Sequence, residues 1–420
     1  MNKEIENKLV PRLRFPEFND DWNFISLKEI TVQITEKVGK KKLETVSITA
    51  GKGFVTQKEK FSRDISGHQY KNYILLQKGD YSYNKGASKK FPQGCIYKLT
   101  EFEEVAVPNA FISFKFIPNV IGEFFNGYFD NNFHGLQLKR FITSGARMDG
   151  LLNISNIDFF SIIFPTPKQK LEQQKIADCL SSLDDLIRLE TEKLDTLKDH
   201  KKGLMQQLFP AEREKVPKLR FPEFKDSGDW EERTLGEIGK FIGGGTPDTL
   251  NPEYWNGHIQ WFTPTEIKSG RLTRSSRAIT NKGLVNSSAK ILPIGTILIT
   301  TRATVGDIAI ADRECTTNQG FQSLFVNQDQ INLFWYYWLS KHRYELIRRA
   351  SGSTFLEIGK SEIARIKALY PKKLEQQKIA NCLSSLDEQI SIQTQKIEDL
   401  KLHKKGLMQG LFPQTNTTNN

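Results

Sequence analysis

The chain has 420 residues, a formal net charge of +11 and a mean hydropathy of −0.47, which predict two or three globular domains and permit a polyanionic partner. No apolar run approaches ~18 residues and the first residues lack the apolar centre of a secretory signal, so we expect neither a membrane-spanning helix nor export. The 4 cysteines form no CxxC pair and the 6 histidines show no metal-ligand spacing, which favours a cytoplasmic protein with reduced thiols and no metal site.

The chain opens with a predicted disordered stretch, residues 1–10. A proline-rich lead segment, Pro-Arg-Leu-Arg-Phe-Pro-Glu-Phe, follows at residues 11–18 and leads to Trp22. Nearly the same segment returns at residues 217–224 and leads to Trp230. Proline-rich segments of this kind cross a surface as extended chain, and we expect the aromatic residues to anchor them.

A globular head follows each lead segment, and the two heads differ in sequence. Both combine short β-rich runs with one apparent helix, near residues 120–143 in the first head and 333–350 in the second, which predicts an α+β fold. The β-rich runs lie at residues 104–108, 111–117, 296–300 and 307–310. The predicted divisions are head 1 at residues 1–165, spacer helix 1 at 166–210, head 2 at 211–370, spacer helix 2 at 371–413 and a disordered tail at 414–420.

Each head contains basic stretches without acidic residues, at residues 81–100 and 267–290. Their lysines and arginines alternate with Ser, Thr and Asn, which are residue types that contact DNA phosphates and base edges. A run of charged residues is more often a solvent-exposed surface than a binding site, so that alternative stays open. A structural role in place of DNA contact also stays open for Arg302, Asn318 and Gln319. The candidate DNA-binding residues are Lys40, Lys41, Lys42, Tyr83, Asn84, Lys85, Ser88, Lys89, Lys90, Thr246, Lys268, Arg271, Arg274, Arg277, Arg302, Asn318 and Gln319.

A long segment behind each head is repeated almost letter for letter. It begins with Lys-Leu-Glu-Gln-Gln-Lys-Ile-Ala at Lys170 and again at Lys373, and it closes with Leu-Met-Gln-x-Leu-Phe-Pro at Pro210 and Pro413. Apolar residues at alternating spacings of four and three predict two coiled-coil helices, and pairing of such nearly identical helices implies pseudo-twofold symmetry. The predicted helix–helix seam consists of Ile176, Leu180, Leu183, Ile187, Leu194, Leu197, Ile379, Leu383, Leu386, Ile390, Ile397 and Leu400.

Three strings resemble motifs of enzymes, and each is incomplete. Residues 251–254, Asn-Pro-Glu-Tyr, differ at the third position from the Asn-Pro-Pro-Tyr loop with which adenine methyltransferases hold a flipped base. The glycines at 243–245 precede Thr-Pro, which indicates a turn. Gly352 and Gly359 stand too far apart for a phosphate-binding loop. We therefore expect no catalytic residue in this chain.

The lead segments, the two repeated helical motifs and the order in which they flank two different heads resemble the specificity subunit of type I restriction-modification systems. In head 2, Gly-Gly-Gly-Thr-Pro at 243–247, Thr-Arg-Ala-Thr-Val-Gly at 301–306 and Asn-Gln-Gly-Phe at 318–321 also resemble the target recognition domains of that family. Head 1 departs from these three strings. The resemblance extends over essentially the whole chain.

The resemblance implies a non-catalytic DNA-recognition subunit whose two heads each read one half of a split DNA target. It implies that two antiparallel helices set the spacer and dock two methyltransferase subunits, and that two restriction subunits complete the complex. S-adenosylmethionine, ATP and Mg²⁺ are then expected on these partner subunits and not on this chain. The alternatives are a coiled-coil assembly scaffold with an incidental basic surface and, less favoured by the residues, a self-contained adenine methyltransferase.

Overall fold

The computed structural model describes residues 9–65, 67–89, 91–142, 151–267, 270–352 and 356–413. Most of the predicted disordered start, the predicted tail at 414–420 and the Ser-Gly pair at 144–145 lie outside the described residues. The chain divides into two compact units. Unit 1 comprises Met1–Glu190 and Lys396–Asn420, and unit 2 comprises Thr191–Gln395.

Unit 1 is built around an antiparallel sheet with the strand order β2-β9-β6-β7. Two smaller antiparallel pairs, β3 with β4 and β5 with β8, extend head 1, and β1 pairs with β10 next to the long helix. The elements are β1 Asn23–Ser26, α1 Leu27–Ile30, β2 Thr31–Gln33, β3 Val46–Thr49, β4 Gly53–Thr56, α2 Gln57–Phe61, β5 Ile74–Gln77, β6 Tyr81–Asn84, β7 Cys95–Lys98, β8 Glu104–Val107, β9 Ile112–Phe116, α3 Gly122–Asp130, α4 Phe133–Leu138, α5 Asn156–Phe160, β10 Ile163–Thr166 and α6 Lys170–Gln207.

Unit 2 repeats this plan with a larger main sheet. Its main sheet has the order β12-β19-β16-β17-β14, a second sheet has the order β15-β13-β18, and β11 pairs with β20. The elements are β11 Glu231–Thr234, α7 Leu235–Ile238, β12 Gly239–Gly243, β13 Trp255–Phe262, β14 Arg271–Leu272, β15 Arg277–Ile279, α8 Asn281–Val285, β16 Ile297–Ile299, β17 Ile308–Ala311, β18 Cys315–Thr317, β19 Gln322–Val326, α9 Asn332–Lys341, α10 Arg343–Arg349, α11 Lys360–Ala364, β20 Lys367–Tyr370 and α12 Lys373–Leu411.

The predicted β-rich runs are confirmed as strands β8, β9, β16 and β17, whereas the prediction of one helix in each head is wrong. In unit 1 the helix is interrupted at Asn132, which adopts a left-handed conformation with φ of 54° between α3 and α4. In unit 2 it is interrupted at His342 between α9 and α10. Asn tolerates the left-handed region better than most residues, which explains a break that apolar periodicity does not reveal.

The main sheets of the two units have equivalent registers. Tyr81 in β6 lies opposite Phe114 in β9, and Ile297 in β16 lies opposite Leu324 in β19. Because both pairs occupy the same strands of the shared topology, positions in one head can be assigned to positions in the other by counting from them. Apart from the phenylalanine shared by Phe111 and Phe321, this equivalence is not visible in the sequences of the heads.

The two long helices begin shortly after Pro167 and Pro371 and end close to Phe209 and Phe412, as the sequence predicts. Apolar seam positions on both helices are shielded from solvent. The buried ones are Ile176, Leu180, Leu194, Ile379, Leu383, Leu386 and Ile397, and the half-buried ones are Leu183, Ile187, Leu197, Ile390 and Leu400.

Within unit 1, the two helices run antiparallel. Lys404 of α12 pairs with Asp184 of α6 at 2.7 Å, and Lys396 pairs with Glu190, so residue numbers rise along one helix as they fall along the other. Lys404 also contacts Asp130 of α3 at 3.0 Å. The repeated lysine of the helical motif therefore meets the repeated aspartate of the other copy.

Within unit 2, the equivalent pair is Lys201 of α6 with Asp387 of α12. The Lys201 ammonium lies 5.2 Å from the centre of the Tyr337 ring, and the Tyr337 hydroxyl donates to Asp387 at 2.6 Å. Both units thus use the same ion pair between helices, while the third partner differs. This reciprocity explains why both copies keep the same residues.

In unit 1, the lead segment is fastened to its long helix by a buried carboxylate. Arg14 donates through two nitrogens to Glu172, at 2.7 and 2.9 Å, and the Trp22 indole donates to Glu172 at 3.2 Å. The Glu172 side chain is only 1% exposed, and the hydrogen bond from Arg14 helps to raise the pKa of that guanidinium. We call this arrangement the Arg-Glu-Trp clamp. A planar guanidinium matches both carboxylate oxygens, which gives the contact fixed geometry.

Unit 2 contains the same clamp. Arg220 donates to Glu375 at 2.8 Å from each of two nitrogens, and the Trp230 indole donates to Glu375 at 3.3 Å. The glutamate of the repeated Lys-Leu-Glu-Gln-Gln motif therefore has an intramolecular role. The following glutamine has one too, because Gln173 and Gln376 donate to the carbonyls of the prolines before their helices at 2.9 and 2.8 Å.

Candidate nucleic-acid interface

The three strings that resemble recognition-domain motifs come together in unit 2. The backbone N–H of Gly245 donates to the carbonyl of Thr317 at 2.8 Å, which joins residues 243–247 to the end of β18. The N–H of Thr301 donates to the carbonyl of Gly320 at 2.8 Å, which joins residues 301–306 to the same turn. We call residues 243–247, 301–306 and 318–321 the unit 2 loop cluster.

Two glycines allow these loops to approach each other. A Cβ on Gly244 would lie 2.0 Å from the carbonyl oxygen of Asn318, and one on Gly245 would lie 2.3 Å from Oγ of Ser288. Neither distance can accommodate a carbon atom, so the glycine-rich string serves close packing between backbones. The interpretation of the string as a turn is wrong, because Gly243 ends strand β12, residues 244–248 form no turn, and a turn follows only at 249–250.

Thr246 and Gln319, which the sequence predicts as DNA contacts, lie side by side in the cluster. The Thr246 hydroxyl donates to Oε1 of Gln319 at 2.5 Å, so the amide nitrogen of Gln319 remains as a donor. Gln319 is exposed, and Asn318 is half-buried and accepts from the N–H of Gly320 at 2.9 Å. The structure therefore makes Gln319 a candidate for base contact and gives Asn318 a role in shaping the turn.

A pair of tryptophans lies under the first loop of the cluster. The Trp261 indole donates to the carbonyl of Gly245 at 2.9 Å, and the Trp255 indole donates to the carbonyl of Asp248 at 3.0 Å. The rings meet edge to face with centroids 5.0 Å apart. The guanidinium of Arg277 lies 3.5 Å from the centre of the Trp255 ring. Sequence reasoning missed these tryptophans, although aromatic residues flanking a basic stretch are a usable signal.

The other basic residues of head 2 differ in their partners. Arg271 pairs with Asp312 at 2.6 Å, Lys282 pairs with Glu253, and Arg302 pairs with Glu357 at 2.8 Å. Those three predicted contacts are therefore partly neutralised by acids distant in sequence. Arg274 and Lys290 are exposed, and neither makes an ion pair with a residue in the described ranges. Lys268 lies outside the described residues.

Glu266 holds the basic stretch in place. Its carboxylate accepts from the N–H groups of Thr263 and Ser276, both at 2.7 Å. Burial raises the pKa of Glu266, but these backbone and hydroxyl hydrogen bonds outweigh burial and lower the pKa below its ordinary value. The charged carboxylate therefore fixes the backbone between Arg274 and Arg277.

In head 1, several predicted DNA contacts prove to be structural, and the prediction for Tyr83 is wrong. Tyr83 is fully buried, its ring stacks on Phe159 with centroids 4.7 Å apart, and its hydroxyl donates to the carbonyl of Gln93 at 2.7 Å. Asn84 is half-buried and donates to the carbonyl of Ile48 at 3.1 Å. Both side chains therefore have a role within head 1, and Tyr83 is not available to a partner.

Lys85 and Ser88 are also engaged within unit 1. The Lys85 ammonium donates to the carbonyl of Ile154 at 2.8 Å, and the Ser88 hydroxyl accepts from the N–H of Phe91 at 3.1 Å. Both residues are half-buried. These bonds give the loop after β6 a fixed conformation. Both side chains, predicted as DNA contacts, therefore have a role within unit 1.

The remaining candidates of head 1 are at its surface. Lys40, Lys42 and Lys89 are exposed, and Lys41 is exposed and pairs with Glu104 at 3.4 Å. Lys90 lies outside the described residues. Exposed lysines without a rigid support are suited to phosphate contacts, which depend on charge more than on geometry.

Register identifies a residue in head 1 that the sequence did not. Asn109 stands as far before Phe114 in β9 as Gln319 stands before Leu324 in β19. Asn109 is exposed, and Asn-Ala-Phe at this turn corresponds to Gln-Gly-Phe in head 2. Both heads thus present an exposed amide side chain at the same place in the fold. The shared phenylalanine was the only signal in the sequence.

The described residues contain no group of three or more His, Cys, Asp or Glu side chains placed to hold a metal ion. Among those residues, no helix is at once long and apolar enough to span a membrane. The exposed candidate residues of both heads are amides and cations. Such surfaces bind anions and the acceptor groups of base edges.

The family model for the type I restriction modification DNA specificity domain matches residues 19–199 and again residues 227–402. The chain belongs to this family. The duplicated match coincides with the duplicated fold, because each copy covers one head and the greater part of the helix behind it. Membership confirms the resemblance that the lead segments and helical motifs indicate.

Individual specificity subunits match parts of the chain. The MjaIX specificity subunit of Methanocaldococcus jannaschii is 37% identical over 190 residues, which is 43% of this chain and 44% of that protein. The putative MjaX specificity subunit of the same organism is 28% identical over 69% of this chain and 67% of its own length. The EcoR124I/EcoR124II specificity subunit of Escherichia coli is 30% identical over 39% of this chain and 42% of that protein. The chain thus aligns with less than half of the first of these relatives.

Solved structures share the fold of this family member. The type I restriction-modification S subunit from M. genitalium has a TM-score of 0.62 at 16% identity and covers 97% of this chain and 100% of that one. A chain from a study of assembly and conformational transition in the type I system has a TM-score of 0.54 at 18% identity and covers 94% and 98%. At these identities the likeness establishes the fold, an α+β architecture with long helices.

Proposed function

We propose that this chain is the DNA-specificity subunit of a type I restriction-modification complex. Head 1 and head 2 each recognise one half of a split, double-stranded DNA target, and α6 with α12 sets the spacer between the halves. The subunit itself catalyses no reaction. The observation that carries the proposal is the contrast between a duplicated frame, the helices with their Arg-Glu-Trp clamps, and two heads whose exposed loops differ.

The chemistry of the heads supports DNA as the ligand. The exposed cations Lys40, Lys42, Arg274 and Lys290 are suited to phosphates. The exposed amides of Asn109 and Gln319 are suited to base edges, since Asn and Gln pair with the N6 and N7 groups of adenine. Phosphate contacts would supply much of the affinity, and the differing loops would supply two different half-site sequences.

The length of the helices supports a role as spacer. Helix α6 has 38 residues and α12 has 39, which corresponds to ~57 Å at about 1.5 Å per residue. One turn of B-DNA spans about 34–36 Å, so a helix of this length is compatible with half-sites one turn or more apart. Repeated ion pairs such as Lys404 with Asp184 would fix the register on which the spacer depends.

The repeated surface of the helices supports two identical docking sites. Internal packing accounts for the repetition of Glu172, Ile176 and Leu180, which are buried. It does not account for Leu171 and Leu374, which are 60% and 78% exposed at the same position of the two copies. An exposed leucine kept in both copies suits contact with the same partner twice, and a methyltransferase subunit is the partner that we propose.

Within this proposal, the cofactors belong to the partners. Two methyltransferase subunits would bind S-adenosylmethionine and methylate an adenine in each half-site, and two restriction subunits would use ATP and Mg²⁺. The complex would act in the cytoplasm, where the DNA that it reads is found. This chain would contribute sequence recognition and assembly.

The experiment is a duplex-binding assay of the chain purified together with its methyltransferase partner. We expect saturable binding to a split target, a lower affinity for scrambled DNA and no binding of S-adenosylmethionine by the chain alone. Binding that does not depend on sequence would favour the scaffold alternative. Binding of S-adenosylmethionine by the isolated chain would favour the methyltransferase alternative.

Docking can be tested separately by co-purification. Leu171→Asp together with Leu374→Asp should reduce recovery of the methyltransferase at least tenfold, because each change places a charge in an apolar contact. Leu402→Asp is the matched control, since Leu402 is 69% exposed on α12 and the other copy has Asp199 at this position. Equal recovery with all variants would remove these leucines from the docking surface.

A further inference from the structure

Among the lysines and arginines between positions 270 and 290, Arg277 differs in the contacts that its side chain makes. Arg271 and Lys282 have carboxylate partners, whereas Arg274 and Lys290 have no ion pair among the described residues. Arg277 is exposed, and its guanidinium stacks on Trp255 at 3.5 Å and lies 5.8 Å from the centre of Trp261. Stacking restricts the orientation of the guanidinium plane without using its N–H donors.

The backbone beneath Arg277 is equally fixed. Arg277 pairs with Trp261 in the register of β15 and β13, and its carbonyl accepts from the Ser275 hydroxyl at 2.6 Å. The backbone N–H of Ser275 in turn donates to the side-chain Oε1 of Gln260 at 2.7 Å. The side chain therefore projects from an edge strand that its pairing with β13 and the hydrogen bonds of Ser275 hold in place. Preorganisation of this kind is required where two hydrogen bonds must form in one plane.

The tryptophan pair also places Arg277 beside the unit 2 loop cluster. Arg277 stacks on Trp255, whose ring contacts Trp261 edge to face. Trp261 donates to the carbonyl of Gly245, and the next residue, Thr246, donates to Gln319. A fixed guanidinium and a fixed amide thus flank one loop. Phosphate binding does not need such precision, whereas base recognition in the major groove does.

We infer that Arg277 is a specificity-determining residue that reads a guanine in the half-site bound by unit 2. Guanine presents two acceptors, O6 and N7, on its major-groove edge, and the two parallel N–H donors of a guanidinium match them. Adenine offers one acceptor and one donor on that edge and would leave one guanidinium N–H unpaired. The inference rests on the proposed function and adds the identity of one base.

The test is methylome sequencing of cells that express the complete system with wild-type or variant chain. Arg277→Lys retains the charge and removes the planar fork, so we expect discrimination at one guanine of the unit 2 half-site to fall roughly tenfold or more. Arg277→Gln should shift the preference at that position from guanine to adenine, because the glutamine amide matches the adenine edge. The other half-site should not change.

Two comparisons separate base reading from general effects. Arg274→Ala should weaken binding to all sequences alike, as expected for a phosphate contact. Arg313→Lys, an exposed arginine outside the proposed interface, is the control and should leave both affinity and motif unchanged. If Arg277 served only to cover the tryptophans, Arg277→Lys would alter thermal stability and leave the methylated motif intact.

The outcomes distinguish this inference from the proposed function. A wild-type system that methylates no defined split sequence would overturn the proposed function. A defined split sequence that contains no guanine in the unit 2 half-site, or that stays the same in both Arg277 variants, would overturn the role of Arg277 alone. The Arg277→Gln result remains decisive if Arg277→Lys fails to assemble.

Discussion

The two units agree closely where the chain is fastened to its long helices and differ where side chains reach the surface of the heads. The Arg-Glu bonds measure 2.7 and 2.9 Å in unit 1 and 2.8 and 2.8 Å in unit 2. The heads share a sheet topology, but the exposed turn before β9 reads Asn-Ala-Phe whereas the equivalent turn before β19 reads Gln-Gly-Phe. Residues that bind the same intramolecular partner in both units are repeated, whereas exposed residues of the heads have diverged.

The largest expected effect concerns the clamps. Glu172→Ala and Glu375→Ala should each destabilise their unit by about 3–5 kcal/mol, because each leaves a largely buried arginine without its carboxylate. The two losses should be equal within about 1 kcal/mol, since the geometry of the clamps is the same. Chemical denaturation of each variant, followed by tryptophan fluorescence, measures the loss.

The exposed pair of Lys367 and Glu232 in unit 2 provides the control. These side chains lie 2.7 Å apart and are at least half exposed, so Glu232→Ala should cost no more than about 1 kcal/mol. A cost for Glu375→Ala as small as this, or a large difference between Glu172→Ala and Glu375→Ala, would show that the clamps are not equivalent supports.

The second effect concerns one histidine in each unit, His134, which is fully buried, and His342, which is half-buried. Burial lowers the pKa of His134 and of His342 to about 4, although hydrogen bonding to the carbonyls of Gly94 and Trp338 opposes the shift. An unfolded histidine titrates near 6.5, so between pH ~6.5 and ~4 the unfolded chain binds more protons than the folded chain. Stability should therefore be fully present above pH ~6.5 and fall as the pH decreases towards ~4.

Substitution tests this dependence in each unit. His134→Gln and His342→Gln should each reduce the pH slope of the unfolding free energy by up to about 1.4 kcal/mol per pH unit in that interval. Thermal unfolding at several pH values measures the slope. An unchanged slope in either variant would mean that the corresponding histidine carries a proton in the folded protein.

The smallest effect compares the cations of the two heads. Lys40→Ala with Lys42→Ala, and Arg274→Ala with Lys290→Ala, should each reduce the dependence of log K on log salt concentration by up to about 2, or roughly 0.9 per lost phosphate contact. Arg271→Ala with Lys282→Ala is the matched pair in head 2 and should have less effect, because Asp312 and Glu253 already neutralise these residues. Equal effects from both head 2 pairs would contradict this assignment.

The sequence predicts the frame better than the heads, for physical reasons. The apolar heptad pattern that includes Ile176 and Leu180 continues along α6, so each turn adds the same local evidence for a helix. Short strands such as β8 and β9 are also recognisable, since their apolar runs end at turns. The clamp was not predictable, because no local pattern indicates that Glu172 is buried beside Arg14, 158 residues away.

The candidate site was predicted in part. The sequence predicts Thr246 and Gln319 as separate DNA contacts, and the structure brings them within 2.5 Å of each other. Asp312, the partner of Arg271, lies 41 residues away, and no local pattern indicates this pairing. Tyr83 was misassigned because polar neighbours suggested exposure, although its alternation with Tyr81 already placed both rings on one face of β6. Asn109 required the register of β9, which only the fold provides.

The most direct test of two independent heads on one frame is an exchange of the head 2 sheet. Residues 239–326 are replaced by the equivalent segment of another specificity subunit, with the clamp of Glu375, α6 and α12 left in place, and methylated sites are mapped across the genome. We predict that one half-site changes while the other half-site and the spacer length stay the same. A change in both half-sites, or a methylated sequence that is not split, would contradict the account.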